Sequence, residues 1–123
     1  MKYLCLAYEE EKVLNDLTRS EWEALRSETL EYVESLRGSG QLLDARPLQS
    51  ARTAATVRLR QGKVTTTDGP FAETREQLGG FFLIEARDMN AAIQIAAKWP
   101  SARIGTIEVR PIDEELRTDR RYA

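Results

Sequence analysis

The stretch that decides the fold is TTTDGPFAETREQLGGFFLIEA, Thr65–Ala86. It runs from a polar strand end through a Gly-Pro turn and mixed charge to a glycine pair and an apolar run. That run, Gly79–Ala86, has the length and the aromatic and branched content of a central strand. The two glycines before it allow a β-bulge, or let the backbone pass close to a bulky neighbour. Upstream, Val57 and Leu59 alternate with Arg58 and Arg60, Gln61-Gly62 supplies a turn, and Lys63–Thr67 returns. This predicts a β-hairpin with both arginines on a solvated face.

Working outward, Lys2–Tyr8 (KYLCLAY) is apolar and predicts a buried strand, followed by a polar loop, EEEKVLNDL. A helix then starts at Thr18, which with Glu21 forms a capping box: the hydroxyl takes a helix N–H and the carboxylate reaches back. Trp22, Leu25, Thr29, Tyr32, Val33 and Leu36 recur at helical spacing on one face, and Gly38-Ser39-Gly40 ends the helix. QLLDARPLQ predicts a strand ending near Pro47. Asp88 caps a second helix, MNAAIQIAAKW, which Pro100 stops, and Ile104–Ile112 is a last strand. Trp22 and Trp99 are read as members of core stripes.

The order is strand, helix, strand, hairpin, strand, helix, strand. Without the hairpin this is βαββαβ, a ferredoxin-like α+β unit. Two amphipathic helices cover one face of its sheet, yet the strands Lys2–Tyr8 and Gly80–Ala86 are apolar on both faces. A second subunit is the simplest cover for the other face, so a homodimer is expected.

With 123 residues the chain is expected to be one domain, residues 1–112, with a polar tail, residues 113–123. A compact chain of this size exposes roughly 6,700 Å², about a third of its unfolded surface, which leaves room for one real core. The formal net charge is -2, and no basic cluster suggests a nucleic acid. Cys5 is the lone cysteine and histidine is absent, so neither an intrachain disulfide nor a Cys-His or Ser-His dyad can form. Cys5 is expected to be an inert buried thiol. No apolar run reaches the roughly 18 residues of a membrane span, and the N-terminus turns acidic too soon for a signal peptide. The expected location is cytoplasmic.

In the segment itself, Asp68 faces an unusual constraint. An Asx turn needs the N–H two residues on, and that residue is Pro70. Either Phe71 supplies the donor, with Asp68 capping a helical turn, or the carboxylate stays free for a ligand or a partner chain. Glu73 and Glu76 share a face if FAETREQ is helical. Phe71 is the residue placed to anchor the turn in the core. Three carboxylates could accept Mg²⁺, but nothing in their spacing demands it, so no metal is expected. No nucleotide-binding loop or nucleophile elbow occurs, and no cofactor is expected.

These residues resemble the DGPF branch of the YCII-related family. The match runs through Asp68, Gly69, Pro70, Phe71, Ala72, Glu73, Thr74, Glu76, Gln77, Leu78, Gly79 and Gly80, with Arg75 where Lys is commoner. MKYLCLAY at the start, TAATVR, the QGK turn and IEVRPI extend it from Met1 to about Ile112. The resemblance implies a ferredoxin-like α+β fold that pairs into a dimeric α+β barrel. Some relatives are lyase-like enzymes with a His-Asp pair, which this histidine-free chain cannot assemble. Others lie beside alternative sigma factors, which implies a regulatory role.

Besides a partner-binding loop, two readings of DGPFAETRE stand side by side. One is a rigid turn sealing the dimer cleft, built from Gly, Pro and an aromatic. The other is a small-molecule site with lyase- or isomerase-like chemistry. There Asp68 and Glu76 are the candidate acid/base residues, and Gly69, Pro70, Phe71, Glu73 and Thr74 line the ligand. Arg110 is either a surface ion pair or a clamp for a substrate carboxylate. Tyr8 is expected in the core or an interface. The partners this leaves are a second copy, a small molecule, and a protein tied to a sigma factor.

Overall fold

The computed structural model describes residues 1–116. The chain forms β1 (Lys2–Glu9), α1 (Glu11–Asn15), α2 (Arg19–Gly38), β2 (Leu42–Pro47) and a 3₁₀ turn (Ala51–Thr53). There follow β3 (Ala55–Arg60), β4 (Lys63–Asp68), β5 (Gln77–Glu85), α3 (Met89–Ala97), a second 3₁₀ turn (Pro100–Arg103) and β6 (Gly105–Pro111). Four strands make one antiparallel sheet in the order β2-β5-β1-β6, while β3 and β4 pair only with each other. The fold is therefore α+β with the hairpin set apart from the main sheet.

Alternation along β1 and β5 sorts the side chains. Tyr3, Cys5, Phe82 and Ile84 point under the helices and meet Leu36 of α2 and Ala92, Ile95 and Ala96 of α3 in a single core. Trp99 closes it, stacked on Phe82 with ring centroids 3.9 Å apart, and the Tyr32 hydroxyl donates to the Ile95 carbonyl at 2.7 Å. The opposite face carries Leu4, Leu6, Phe81 and Leu83, paired across strands as Leu4 with Leu83 and Leu6 with Phe81, and half-buried. The helices cover one side only.

Both helix caps form as their sequence predicts. The Glu21 N–H donates to the Thr18 hydroxyl at 3.1 Å, the Thr18 N–H donates to the Glu21 carboxylate at 2.9 Å, and Asp88 accepts from the Ala91 N–H at 2.8 Å. Three expectations need correction. Glu9–Leu17 is not all loop, because Glu11–Asn15 forms a short helix. It is pinned by a long-range contact: the Glu11 carboxylate accepts from the Ala51 N–H at 2.7 Å and the Ser50 hydroxyl at 3.0 Å. Trp22 is no core residue but 47% exposed. A twenty-residue helix spans about 30 Å, more than the roughly 20 Å of a six-residue strand, so a strand as short as β2 cannot cover its whole length. Phe71 does not anchor its turn either and is 81% exposed. It follows a hairpin that pairs only with itself, and it is not among the core residues of the described part. No helix among the described residues is long and apolar enough to cross a membrane. Of the expected polar tail, residues 117–123 lie outside the described part.

Candidate functional site

A cleft of about 210 Å³ opens where β1 ends and β5 begins. Its floor is Glu9, Gln77, Leu78 and Gly79, one wall is Glu11, Leu14 and Asn15 of α1, and the other is Leu48–Ser50 with Arg52. Local sequence explains each part. Alternation puts Glu9 on the same face as Tyr3, Cys5 and Ala7, so the strand carries an acid onto its buried side just past the core. Register pairs Glu9 directly with Gln77. Gly79 is an extra residue of β5 opposite the Ala7–Tyr8 step, a bulge, which is one of the two outcomes the glycine pair allows. The Leu48 N–H donates to the Gly79 carbonyl at 2.8 Å and holds the far wall to the floor.

Gly79 makes room for Glu9. A β-carbon there would stand 2.7 Å from Glu9 Oε2. Burial raises the Glu9 carboxyl above the usual carboxylate range, because taking the anion from water disfavours it. The Ser101 hydroxyl beside it pulls more weakly the other way. Ser101 is only 8% exposed, and its Oγ makes no aligned hydrogen bond. Glu11 is engaged with Ser50 and Ala51, whereas the Arg52 guanidinium, at the exposed rim, has no partner among the described residues.

The sequence candidates lie elsewhere or at the edge. Asp68 ends β4, opposite Ala55, and is exposed, with no hydrogen bond to its carboxylate among the described residues. Gly69 follows with φ +94°, a conformation that favours glycine, so Asp68 does not cap a helix there. The Gly69 N–H donates to the Ala54 carbonyl at 2.6 Å and its carbonyl accepts from the Thr56 hydroxyl at 2.9 Å. Residues 69–76 contain no helix, so Glu73 and Glu76 do not share a helical face. Glu73 is exposed; Glu76 accepts from the Thr106 hydroxyl at 2.7 Å. Thr74 donates to the Glu76 carbonyl, and the Gln77 side chain donates to the Thr74 carbonyl. Arg75 pairs with Glu10 at 3.3 Å. The segment is thereby tied to Glu10, just ahead of α1, and to Thr106 of β6, while only its tail, Gln77–Gly79, lines the cleft. Pro70 is half-buried and Arg110 pairs with Glu108 on the open sheet face. No three Cys, Asp or Glu among the described residues gather as a metal-binding group.

Sequence reasoning missed Glu9, α1 and Arg52. The signal for Glu9 was present: it continues the odd-numbered buried register of β1. Arg52 had no local signal, because a fold-back of the β2–β3 connection brings it to the rim.

The YCII-related domain family matches residues 1–115, and the chain belongs to that family. An uncharacterized protein of Rhizobium meliloti is 33% identical over 114 residues, covering 91% of this chain and 92% of the relative. Among solved structures, 5-chloro-2-hydroxyhydroquinone dehydrochlorinase of Burkholderia phenoliruptrix, in complex with 2,5-dihydroxybenzoquinone, superposes with a TM-score of 0.59. It is 14% identical, and the match covers 97% of this chain and 100% of that one, a likeness of fold.

Proposed function

We propose that this protein binds a small molecule in the cleft above Gly79 and exchanges a proton with it through Glu9, in lyase- or isomerase-like acid/base chemistry. The observation that carries the reading is the Glu9 carboxyl, raised by burial, lining a cleft beside the DGPF segment. A carboxylate with a raised pKa is a stronger base and sits nearer neutral pH, where proton transfer is most effective. In an elimination the proton passes to Glu9, the C–H electrons form the new double bond, and the leaving group departs with its own pair. The likeness to a dehydrochlorinase supports this at the level of fold. Glu9 takes the role that the sequence offered to Asp68 and Glu76, which do not line the cleft.

The strand order β2-β5-β1-β6 supports a ferredoxin-like unit, and a dimer through the open sheet face completes the reading. The isolated chain exposes 9344 Å², against roughly 6,700 Å² for a compact protein of this mass. The apolar stripe Leu4, Leu6, Phe81 and Leu83 is the surface a second copy would cover. A free, buried Cys5 suits a reducing cytoplasmic setting.

A screen of small organic acids, alcohols and amines by ¹H–¹⁵N NMR tests the site. Shifts centred on Glu9, Gln77 and Gly79 that vanish in Glu9→Gln support it. Shifts centred on Asp68 and Glu73 would move the site to the base of the hairpin and end this reading. Phe81→Glu should give a monomer by light scattering; a wild-type monomer sinks the dimer.

One observation favours a second reading. The hairpin presents Val57, Leu59 and Val64 on one face, 65%, 61% and 62% exposed. A two-stranded hairpin alone is marginally stable in water, so such a face suits a protein partner. An accessory role with a sigma-factor-linked regulator is then the alternative. Recovery of a transcription component by the wild type but not by Leu59→Lys/Val64→Lys would favour it.

A further inference from the structure

Resting on the cleft reading above, we infer the class of ligand: a small hydroxylated carboxylic acid, its carboxylate on Arg52 and its hydroxyl toward Glu9 and Gln77. Three observations converge on it.

The first is size. A cavity of about 150 Å³ holds benzene, so the 210 Å³ here suits one six-membered ring, or a chain of similar bulk, with two polar substituents. The second is the floor. Glu9 and Gln77 are direct cross-strand partners, so their side chains leave the sheet together. The Gln77 amide nitrogen already donates to the Thr74 carbonyl at 2.5 Å, which leaves the amide oxygen free to accept. Glu9 adds a carboxyl that can accept as the anion or donate as the acid. The floor therefore suits a hydroxyl, which can do both.

The third is the rim. Arg52 is the cation of the lining, and its guanidinium has no partner among the described residues. The Glu11 carboxylate, also in the lining, accepts from the Ser50 hydroxyl and the Ala51 N–H and forms no ion pair with Arg52 among the described residues. A planar guanidinium without a partner fits a carboxylate bidentately. Leu14, Leu48 and Leu78 supply the apolar surface between the two polar ends. An amine in place of the carboxylate would meet Arg52 with like charge.

Three probes of one shape separate the terms: 4-hydroxybenzoate, 4-hydroxybenzamide and 4-hydroxybenzylamine, titrated by NMR with the Gly79 amide as reporter. The acid should bind about tenfold tighter than the amide, the factor that 1.4 kcal/mol makes, and the amine weakest. Arg52→Gln, a change at an exposed position, should remove the preference and bring the acid down to the amide. Equal binding of acid and amide, tighter binding of the amine, or a preference that survives Arg52→Gln overturns the ligand class. In those cases the amide still shifts Gly79 and the cleft reading stands. If none of the three shifts Gly79 while ligands bind elsewhere, the cleft reading falls and this inference with it.

Discussion

The Glu9 carboxylate lies over Gly79, at a point where a β-carbon on residue 79 would come within 2.7 Å of Oε2. The atom in conflict is the far end of a flexible side chain. Gly79→Ala should therefore leave the fold intact and push the Glu9 carboxylate aside. Gly80→Ala is different: its β-carbon would meet the Arg46 carbonyl oxygen at 2.9 Å and the Pro47 Cα at 3.4 Å, both backbone. It should pry β2 from β5 and cost about 1–3 kcal/mol, the usual range for overpacking. Urea unfolding of the two variants checks the contrast. Equal loss of stability in both would refute the assignment of Gly79 to the site.

The raised pKa of Glu9 has a stability consequence with a definite sign. Between the unfolded and folded pKa values the native state holds more protons than the unfolded chain, so stability falls as pH rises through that window. Below the window the contribution is constant, and above it the full cost of a buried anion remains. Glu9→Gln should flatten this part of the profile and be more stable than wild type at neutral pH. Thermal melts from acid to neutral pH measure it, and a wild-type profile matched by Glu9→Gln would contradict it.

Cys5 is fully buried, and burial pushes its thiol up to about 12 from 9.0. The thiolate is the reactive form, so native protein should resist a thiol reagent at pH 8 and react only as it unfolds. The sign at high pH follows the same rule: above pH 9.0 the unfolded chain ionises first, and stability drops toward pH 12. Fast stoichiometric labelling of folded protein would disprove the burial.

The Phe82–Trp99 stack joins the central strand to the end of α3. Trp99→Ala should cost about 3–5 kcal/mol, as large aromatic truncations do. Trp22→Ala, at an exposed position of the same residue type, should cost within about 0.5 kcal/mol. Denaturant midpoints compare them directly, and similar losses would mean that the first turn of α2 is packed after all.

Much of the fold was legible because it rests on local rules. Thr18 with Glu21, Asp88 ahead of MNAAIQ, and Gln61-Gly62 between alternating strands each act over three or four residues. The bulge at Gly79 is one of the two outcomes the glycine pair allowed, and the one-sided helix cover followed from counting amphipathic faces. The site was less legible. Asp68 attracted attention because Pro70 denies it a local donor, and its carboxylate is indeed without one, but on an exposed hairpin rather than in the cleft.

By itself the sequence determined the order of the strands and the two longer helices, their caps and turns, and the family. These depend on periodicity and on neighbours a few residues apart. Only the tertiary structure decided that Glu9 and Gln77 face each other, that Glu11 reaches across to Ser50 and Ala51, and that Arg52 meets them at one rim. Those juxtapositions join residues some 40 to 70 positions apart. Strand register and a fold-back of the chain create them, and no local pattern encodes either.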